Sequence, residues 1–502
     1  MNSSEHDTVF QQAESRGLGA RMVRGGAWVL ALRIAQRALS FIRLLVLVHW
    51  LAPNDFGLMG AAMLAYSMLN SLTGVGLQSA MIQRKEIDRS LLDIAWTFQI
   101  VRGAILALVL FACAPLAARL VNATEITAII RVLALTFVIQ ACTSSAIVYL
   151  RKELAFDKHF FYQFGETVAE FSVTLTTAFL LRSVWALVLG RLVSCAVACV
   201  LSYVIVPYRP RINFAWRQAE GIWNFGLWVL GSAILIFLLT QSDQLAVAGL
   251  LGTTMLGYYR IAFRVSNAPT TEFSQILSHV TFPAFSKLQE STSQFRQAYL
   301  RVFRLTAFAV FPLSSMILVL AAEFTTLFLG NAWTPAIPLI QCLAVYGLME
   351  SLGATTRSVF MASGRLGTMV KLQVLQVMVL ALSLVPLTVC CGALGAAFAM
   401  TASTTLFSII LLTKAWGLLG ISIFHGLREM VTPLLSACLS TGAVLCLPLG
   451  TLEEGYVGFF TRAIVAGLLY LGASYAFDRI LHTESWRLIA EVWGSLVKKS
   501  IS

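Results

Sequence analysis

The chain has 502 residues, 58 % of them hydrophobic and 12 % charged, with a mean hydropathy of +0.80. A soluble globular chain carries about 25 % charged residues, so the composition excludes a soluble enzyme and indicates an integral membrane protein with several spans. The net charge of +12 is spread over short polar breaks and helix interiors without a basic block, which points to membrane topology and anion handling and away from nucleic acid.

The first apolar run, 24–51, is long enough to cross a bilayer, since about 20 residues at about 1.5 Å each span the hydrocarbon core. It nevertheless carries Arg33, Arg37 and Arg43. Charge at that depth costs about 2.5–3.5 kcal/mol per residue. At about 100° per residue, Arg33, Gln36, Arg37, Ser40 and Arg43 fall in one arc of about 120°. Two readings stay open: snorkelling or structurally paired arginines, and a cationic stripe facing an internal aqueous cavity. The segment before this run has no signal-peptide pattern, and the run is expected to be retained.

Thirteen further helices are predicted, over 56–80, 91–114, 127–150, 160–181, 184–206, 222–250, 255–280, 299–322, 333–361, 368–390, 392–416, 429–449 and 457–477. Several breaks rest on turn chemistry, as at Pro53-Asn54-Asp55, Leu250-Leu251-Gly252 and Cys391-Gly392. In the second helix, Ser67, Asn70, Ser71, Gly74 and Gln78 have the spacing of a helix-packing face. Glu166 and Glu170 on helix 5 read as acids solvated at the membrane interface. Helix 7 holds Asp243 in an apolar run, where a carboxylate pairs with arginine, becomes neutral or binds a cation. Its repeat counterpart Arg43 is the expected partner, with a coupling-ion role as the alternative. Helix 8 carries Arg260, Arg264, Asn267 and Thr271 on one face, after Tyr258 and Tyr259, which suit interface or sugar contacts. Snorkelling at the periplasmic end is the alternative for these two arginines. Helix 10 holds Tyr346, Glu350 and Arg357. The last two share a face about 10 Å apart along the axis, a spacing that predicts a cavity wall or gate rather than direct contact. The nine cysteines lie in apolar runs without CxxC pairs and read as small buried hydrophobes.

One alternate set of loops holds clusters such as Arg84, Lys85, Arg89; Arg151, Lys152, Lys158; and Arg209, Arg211, Arg217. The other holds Arg119 and Arg182 with Glu323, Glu453 and Glu454. This bias predicts both termini on the cytoplasmic side. No loop is long enough for a soluble catalytic domain. Gly26, Trp28-Val29-Leu30, Leu51 and Gly57 recur as Gly226, Trp228-Val229-Leu230, Leu251 and Gly257, all at an offset of 200. Helix 7 thus matches helix 1, and six intervening helices give a parallel repeat. The fold expected is an all-α polytopic membrane protein of about fourteen transmembrane helices, with two six-helix lobes plus two C-terminal helices. Its parts are an N-terminal lobe 1–206, a cytoplasmic linker 207–221, a second lobe 222–417, and 418–502 with helices 13 and 14 and a cytoplasmic tail.

The run LAPNDFGLMGAAMLAYSMLNSLTGVGLQSAMIQRKEID resembles the N-terminal signature of Wzx-type polysaccharide transporters, oligosaccharide-lipid flippases of the MOP exporter superfamily. LLGTTMLGYYRIAFRV and TFPAFSKLQE resemble the second-half motifs of the same group. The resemblance implies export of a polyprenyl-diphosphate-linked oligosaccharide across the bacterial inner membrane by alternating access, for O-antigen, capsule or exopolysaccharide synthesis. By helix position it assigns the diphosphate to Arg33, Arg37, Arg260 and Arg264, with Asn267 beside them, and leaves Asp243, Glu350 and Arg357 as coupling or gate residues. The partners expected are the lipid-linked oligosaccharide, membrane lipids, a polysaccharide polymerase and a chain-length regulator, and no nucleic acid. No cofactor is expected beyond a coupling proton or sodium ion. There is no HExxH, P-loop lysine or GxSxG motif, so the chain is expected not to be an enzyme. Competing readings are a multidrug or cation antiporter of the same superfamily, which needs an acidic and aromatic cavity, a membrane glycan polymerase, which needs a large periplasmic loop, and a non-transporting scaffold.

Overall fold

The computed structural model describes residue 28 and residues 31–72, 89–153, 155–213, 220–446, 455–481 and 486. The N-terminal segment, the repeat positions Gly26, Val29 and Leu30, the helix-2 positions Gly74 and Gln78, Arg84 and Lys85, Arg217, Glu453 and Glu454, and the tail lysines Lys498 and Lys499 lie outside the described residues, as does the end of helix 2. Among the described residues every regular element is a helix, and there is no strand.

In chain order the helices are α1 (31–50), α2 (Pro53–Leu72), α3 (Arg89–Leu120), α4 (Ile126–Ala141), α5 (Phe156–Leu181) and α6 (Trp185–Ile205). A long helical run, Glu220–Leu288, is divided at Gly252 into α7 (220–251) and α8 (253–288). Then come α9 (Thr292–Phe324) and α10 (Ile337–Ala362). A second long run, Leu366–Leu418, is divided at Gly392 into α11 (366–391) and α12 (393–418), followed by α13 (Ile423–Cys446) and α14 (Tyr456–Leu481). Gly252 has φ 85° and Gly392 φ 63°. Positive φ is strained for any residue with a Cβ, so these two glycines break one helix from the next without a loop. The eight apolar spans recognised among the described helices make this a multi-pass membrane protein.

The fourth helix stops at Ala141, short of the expected 150. Ser144 is extended, with ψ 125°, and its side chain accepts from the Ala146 N–H. Its own N–H donates to Ser202 Oγ at 3.0 Å, and Ser145 Oγ donates to the Leu92 carbonyl at 2.9 Å. Serine side chains offer the backbone an alternative to the helix, while the flanking residues stay apolar and hide the break from hydropathy. A one-turn helix, Val148–Lys152, follows. Arg119 lies in the last turn of α3, and Arg182 caps α5 in the left-handed region at φ 45°. Arg119 is thus in a helix and not in the loop that the charge pattern suggested, whereas Arg182 stands in the short α5–α6 connection, as expected.

The chain forms two compact units, one of residues 1–237 with 252–254, the other of 238–251 with 255–502. In unit 1 the apolar face of α4 is buried through Ile126, Ile129, Ile130, Leu133 and Phe137. Tyr66 stacks on Phe137 at 4.3 Å and donates to Gln140. α5 and α6 touch at Gly190, where a Cβ would overlap the Thr174 hydroxyl. Small residues permit such backbone approach where lipid supplies no hydrophobic drive between helices. In unit 2 a core of Phe285, Phe295, Tyr299, Phe303, Leu352 and Trp416 joins α8, α9, α10 and α12. α13 and α14 close on it through Ala437 and Tyr470, whose hydroxyl donates to the Phe308 carbonyl at 2.8 Å.

Candidate functional site

In unit 1, α1 runs along α5 on one line. Trp28 meets Phe160 at 5.0 Å, Gln36 Nε2 donates to Thr167 Oγ1 at 3.1 Å, Arg43 bridges Glu170 at 2.5 Å, and Trp50 meets Phe179 at 5.7 Å. Successive contacts seven or eight residues apart are two helical turns apart on one face. The stripe on α1 is therefore divided. Gln36 and Arg43 belong to the α5 contact, while Arg33 and Arg37 lie about 60° and 100° around the helix from it. Arg33 is half-buried and Arg37 exposed.

The expected Arg43–Asp243 pair is not formed, because Glu170 holds Arg43. Glu170 and Glu166 are also not simply solvated acids, since Glu166 faces Arg191 of α6 at 3.6 Å. Their positions one turn apart on α5 were readable; their partners depend on which helices flank α5. Arg191 was overlooked, although one arginine inside the apolar run 184–206 was a signal in itself. Arg102 was overlooked too. It donates to the Asn70 side chain at 3.1 Å, which ties α3 to α2.

In unit 2, Arg260 and Arg264 occupy successive turns of α8, the first half-buried and the second exposed. Among the described residues no carboxylate lies within salt-bridge distance of Arg260. Asn267, expected beside them, is buried, and donates through Nδ2 to the Phe263 carbonyl at 3.0 Å. Its Oδ1 sits where a Cβ at Gly347 would fall, so Asn267 belongs to the α8–α10 contact. Ser266 Oγ reinforces that contact by donating to the Ile340 carbonyl at 2.9 Å.

Asp243 is fully buried. Its Oδ2 accepts from the Tyr259 hydroxyl at 2.7 Å, and its Oδ1 has no hydrogen-bond partner among the described residues. Tyr259 is thereby committed to Asp243 and is no interface residue, and Tyr258 sits edge-on to buried Trp333 at 5.8 Å. Glu350 and Arg357 do touch, at 2.5 Å between Oε1 and Nη2. The axial separation of about 10 Å was correct for the backbone, but two long side chains on one face close it. Arg304 grips Glu429 with two bonds of 2.6 Å, and Arg462 pairs with Glu323. These two pairs tie α13 and α14 to α9; from sequence, Glu323 was read only as a loop charge opposite the basic clusters, and Arg304, Glu429 and Arg462 were not singled out. Of the cysteines expected to be small buried residues, Cys195 is buried and its sulfur accepts from Gln140, whereas Cys113, Cys390, Cys391, Cys438 and Cys446 are exposed on the protein surface, because an apolar run in a membrane helix has a lipid-facing side as well as a packed one.

Chemically, Arg43, Arg191, Arg304, Arg357 and Arg462 are each matched to a glutamate. Charge neutralised in pairs stabilises helix contacts and presents no net cation to a ligand. Arg260 is not so matched, and a guanidinium offers five donors in a planar fork suited to a phosphate or carboxylate.

Comparison with known proteins bears on the family and the fold. A family model described as polysaccharide biosynthesis protein matches residues 46–338. The lipopolysaccharide biosynthesis protein WzxC of Escherichia coli (strain K12) is 26 % identical over 395 residues, covering 78 % of this chain and 80 % of that protein. Among solved structures, the lipid II flippase MurJ in an inward closed conformation superimposes with a TM-score of 0.71 at 14 % identity, covering 90 % of this chain and 99 % of that one. An inward-facing multidrug resistance MATE family transporter of the MOP superfamily gives 0.59 at 15 % identity, covering 76 % and 94 %. At such identities the structural likeness speaks for the fold. The family model spans more than half of the chain, and with the motifs around Pro53 and Gly252 it leads to one conclusion: this multi-pass membrane protein belongs to the polysaccharide biosynthesis protein family.

Proposed function

We propose that the chain is a flippase that moves a polyprenyl-diphosphate-linked oligosaccharide across the bacterial inner membrane by alternating access, with both termini in the cytoplasm. The observation that carries this reading is the contrast among the intramembrane arginines. Five are neutralised by glutamates, whereas Arg260 has no carboxylate beside it among the described residues, in a helix that also carries Arg264. Arg33 and Arg37 on α1 stand off the α5 contact line. In this reading the arginines of α1 and those of α8 each offer bidentate, charge-assisted bonds to a diphosphate, and the polyprenyl tail stays in lipid. Binding replaces the water that solvates the guanidiniums and lowers the cost of closing the protein around them. A proton or sodium gradient, or the membrane potential at about 2.3 kcal/mol per charge per 100 mV, resets the cycle, with Asp243 the candidate coupling group. Names of similar proteins support the substrate class: WzxC is a lipopolysaccharide biosynthesis protein. A polymerase and a chain-length regulator are the protein partners expected on this reading.

A cation antiporter shares the fold, but clustered arginines repel a cationic substrate. The test is complementation of a strain lacking its own flippase. Arg→Ala at Arg33, Arg37, Arg260 or Arg264 is expected to reduce export at unchanged membrane levels. Each lost charge-assisted bond is worth about 1.5–3 kcal/mol, which is about 10- to 100-fold in binding, and Arg→Lys rescues only in part because the fork is lost. Export that survives alanine at all four positions refutes the assignment.

A further inference from the structure

Between α6 and α7 the chain runs without regular structure over 207–213, and this crossover is sewn to the first turns of α3 within unit 1. Asp93, 8 % exposed, accepts from the Tyr208 hydroxyl at 2.5 Å and from the Arg211 N–H at 2.8 Å. Thr97 Oγ1 accepts from the Asn213 N–H at 2.9 Å while donating to the Asp93 carbonyl at 2.8 Å. Asn213 Nδ2 donates to Ser90 Oγ at 3.3 Å. Val206 and Tyr208 also pack on the small core of Leu92, Ala95, Ala146 and Val148. Burial and the Asp93 carboxylate push the Tyr208 phenol above its ordinary value, which keeps it a donor. A connector that only had to span two halves needs none of these bonds, because ordering each residue costs about 1–2 kcal/mol.

What the clamp displays is cationic. Arg209 and Arg211 are two residues apart, a spacing that puts both on one side of an extended segment. Both are exposed, and among the described residues neither has a carboxylate within salt-bridge distance. Ile212 between Arg211 and Asn213 is 70 % exposed. Exposed Arg89 stands over the Tyr208 ring at 5.8 Å. The strip begins where the membrane-spanning α6 ends at Ile205, which is the level of the bilayer surface, on the side that the Lys/Arg bias assigns to the cytoplasm. Two guanidiniums followed by an exposed aliphatic side chain at that level match a phosphate layer above an acyl boundary.

We propose that residues 207–213, held in shape by Asp93 and Thr97, form a preorganised binding strip for the anionic phospholipid headgroups of the adjoining leaflet. Arg209 and Arg211 contact the phosphates and Ile212 enters the boundary beneath them. The hydrogen bonds to α3 remove the ordering cost that a loose basic loop would meet on binding.

The test uses the full-length protein in nanodiscs of phosphatidylcholine with graded phosphatidylglycerol, and reads retained phosphatidylglycerol by native mass spectrometry. Arg209→Gln and Arg211→Gln are each expected to lower apparent phosphatidylglycerol affinity about fivefold, and the pair about 25-fold. Arg119→Gln, far along α3, is expected to leave it unchanged. Asp93→Ala keeps both arginines and removes a negative charge, so charge alone would raise affinity; the clamp predicts a fall. Thr97→Val, which keeps the charge and the helix, is expected to give a smaller fall. Wild-type affinity in the double arginine variant overturns the binding strip. Unchanged or higher affinity in both Asp93→Ala and Thr97→Val, with helical content preserved, overturns the preorganisation.

Discussion

Replacing Glu170 by Gln leaves Arg43 without the carboxylate it meets at 2.5 Å, in the middle of α1. The two side chains are 17 % and 26 % exposed, so the pair is partly screened. Breaking a fully buried pair costs about 3–5 kcal/mol and an exposed one under about 1 kcal/mol. Partial exposure puts Glu170→Gln at about 2 kcal/mol, and at roughly 2–4 °C per kcal/mol the Tm in detergent is expected to fall by about 4–8 °C. Arg43→Gln is expected to cost a similar amount by stranding Glu170. The double variant regains most of the loss, since two amides hydrogen-bond without a lone charge. It also keeps exporting glycan, because the charge of Arg43 is already used by Glu170, whereas Arg37→Ala loses export with little change in Tm. Additive Tm losses in the double variant would refute the pair. Lost export in the double variant at normal membrane levels would place Arg43 with the ligand arginines instead.

Gly190→Ala drives a methyl into the Thr174 hydroxyl and is expected to destabilise unit 1 by about 1–3 kcal/mol; adding Thr174→Ala should restore much of the Tm, because the obstruction is a side chain. Glu429→Gln frees a guanidinium gripped by two 2.6 Å bonds at a site where Glu429 is 4 % exposed, so a loss of about 3–5 kcal/mol is expected in thermal melts, with recovery in Arg304→Met/Glu429→Leu. If Asp243 couples transport to an ion, Asp243→Asn removes the gradient dependence of export in vesicles while Tyr259→Phe, which removes only the 2.7 Å bond, retains it. Gradient dependence that survives Asp243→Asn rules out that role.

The apolar spans and most of the breaks between them were local properties of the sequence. A bilayer demands long apolar helices wherever the chain crosses it, so hydropathy marked the spans, and Gly252 and Gly392 marked helix breaks because only glycine takes their φ without strain. The stripes of arginine were equally legible, since a charge inside an apolar run is conspicuous without any knowledge of its surroundings. What each arginine does was decided by neighbours distant in sequence. Arg43 was matched by offset to Asp243, yet α1 lies along α5 and Glu170 is one contact away. Arg304 and Glu429 are separated by 125 residues, and no periodicity links them. The end of α4 at Ala141 turned on Ser144 and Ser145 finding acceptors and donors on α3 and α6. A charged or hydroxyl side chain in a membrane is held by whichever partner packing brings within about 3 Å, and that adjacency exists only once the helices are assembled.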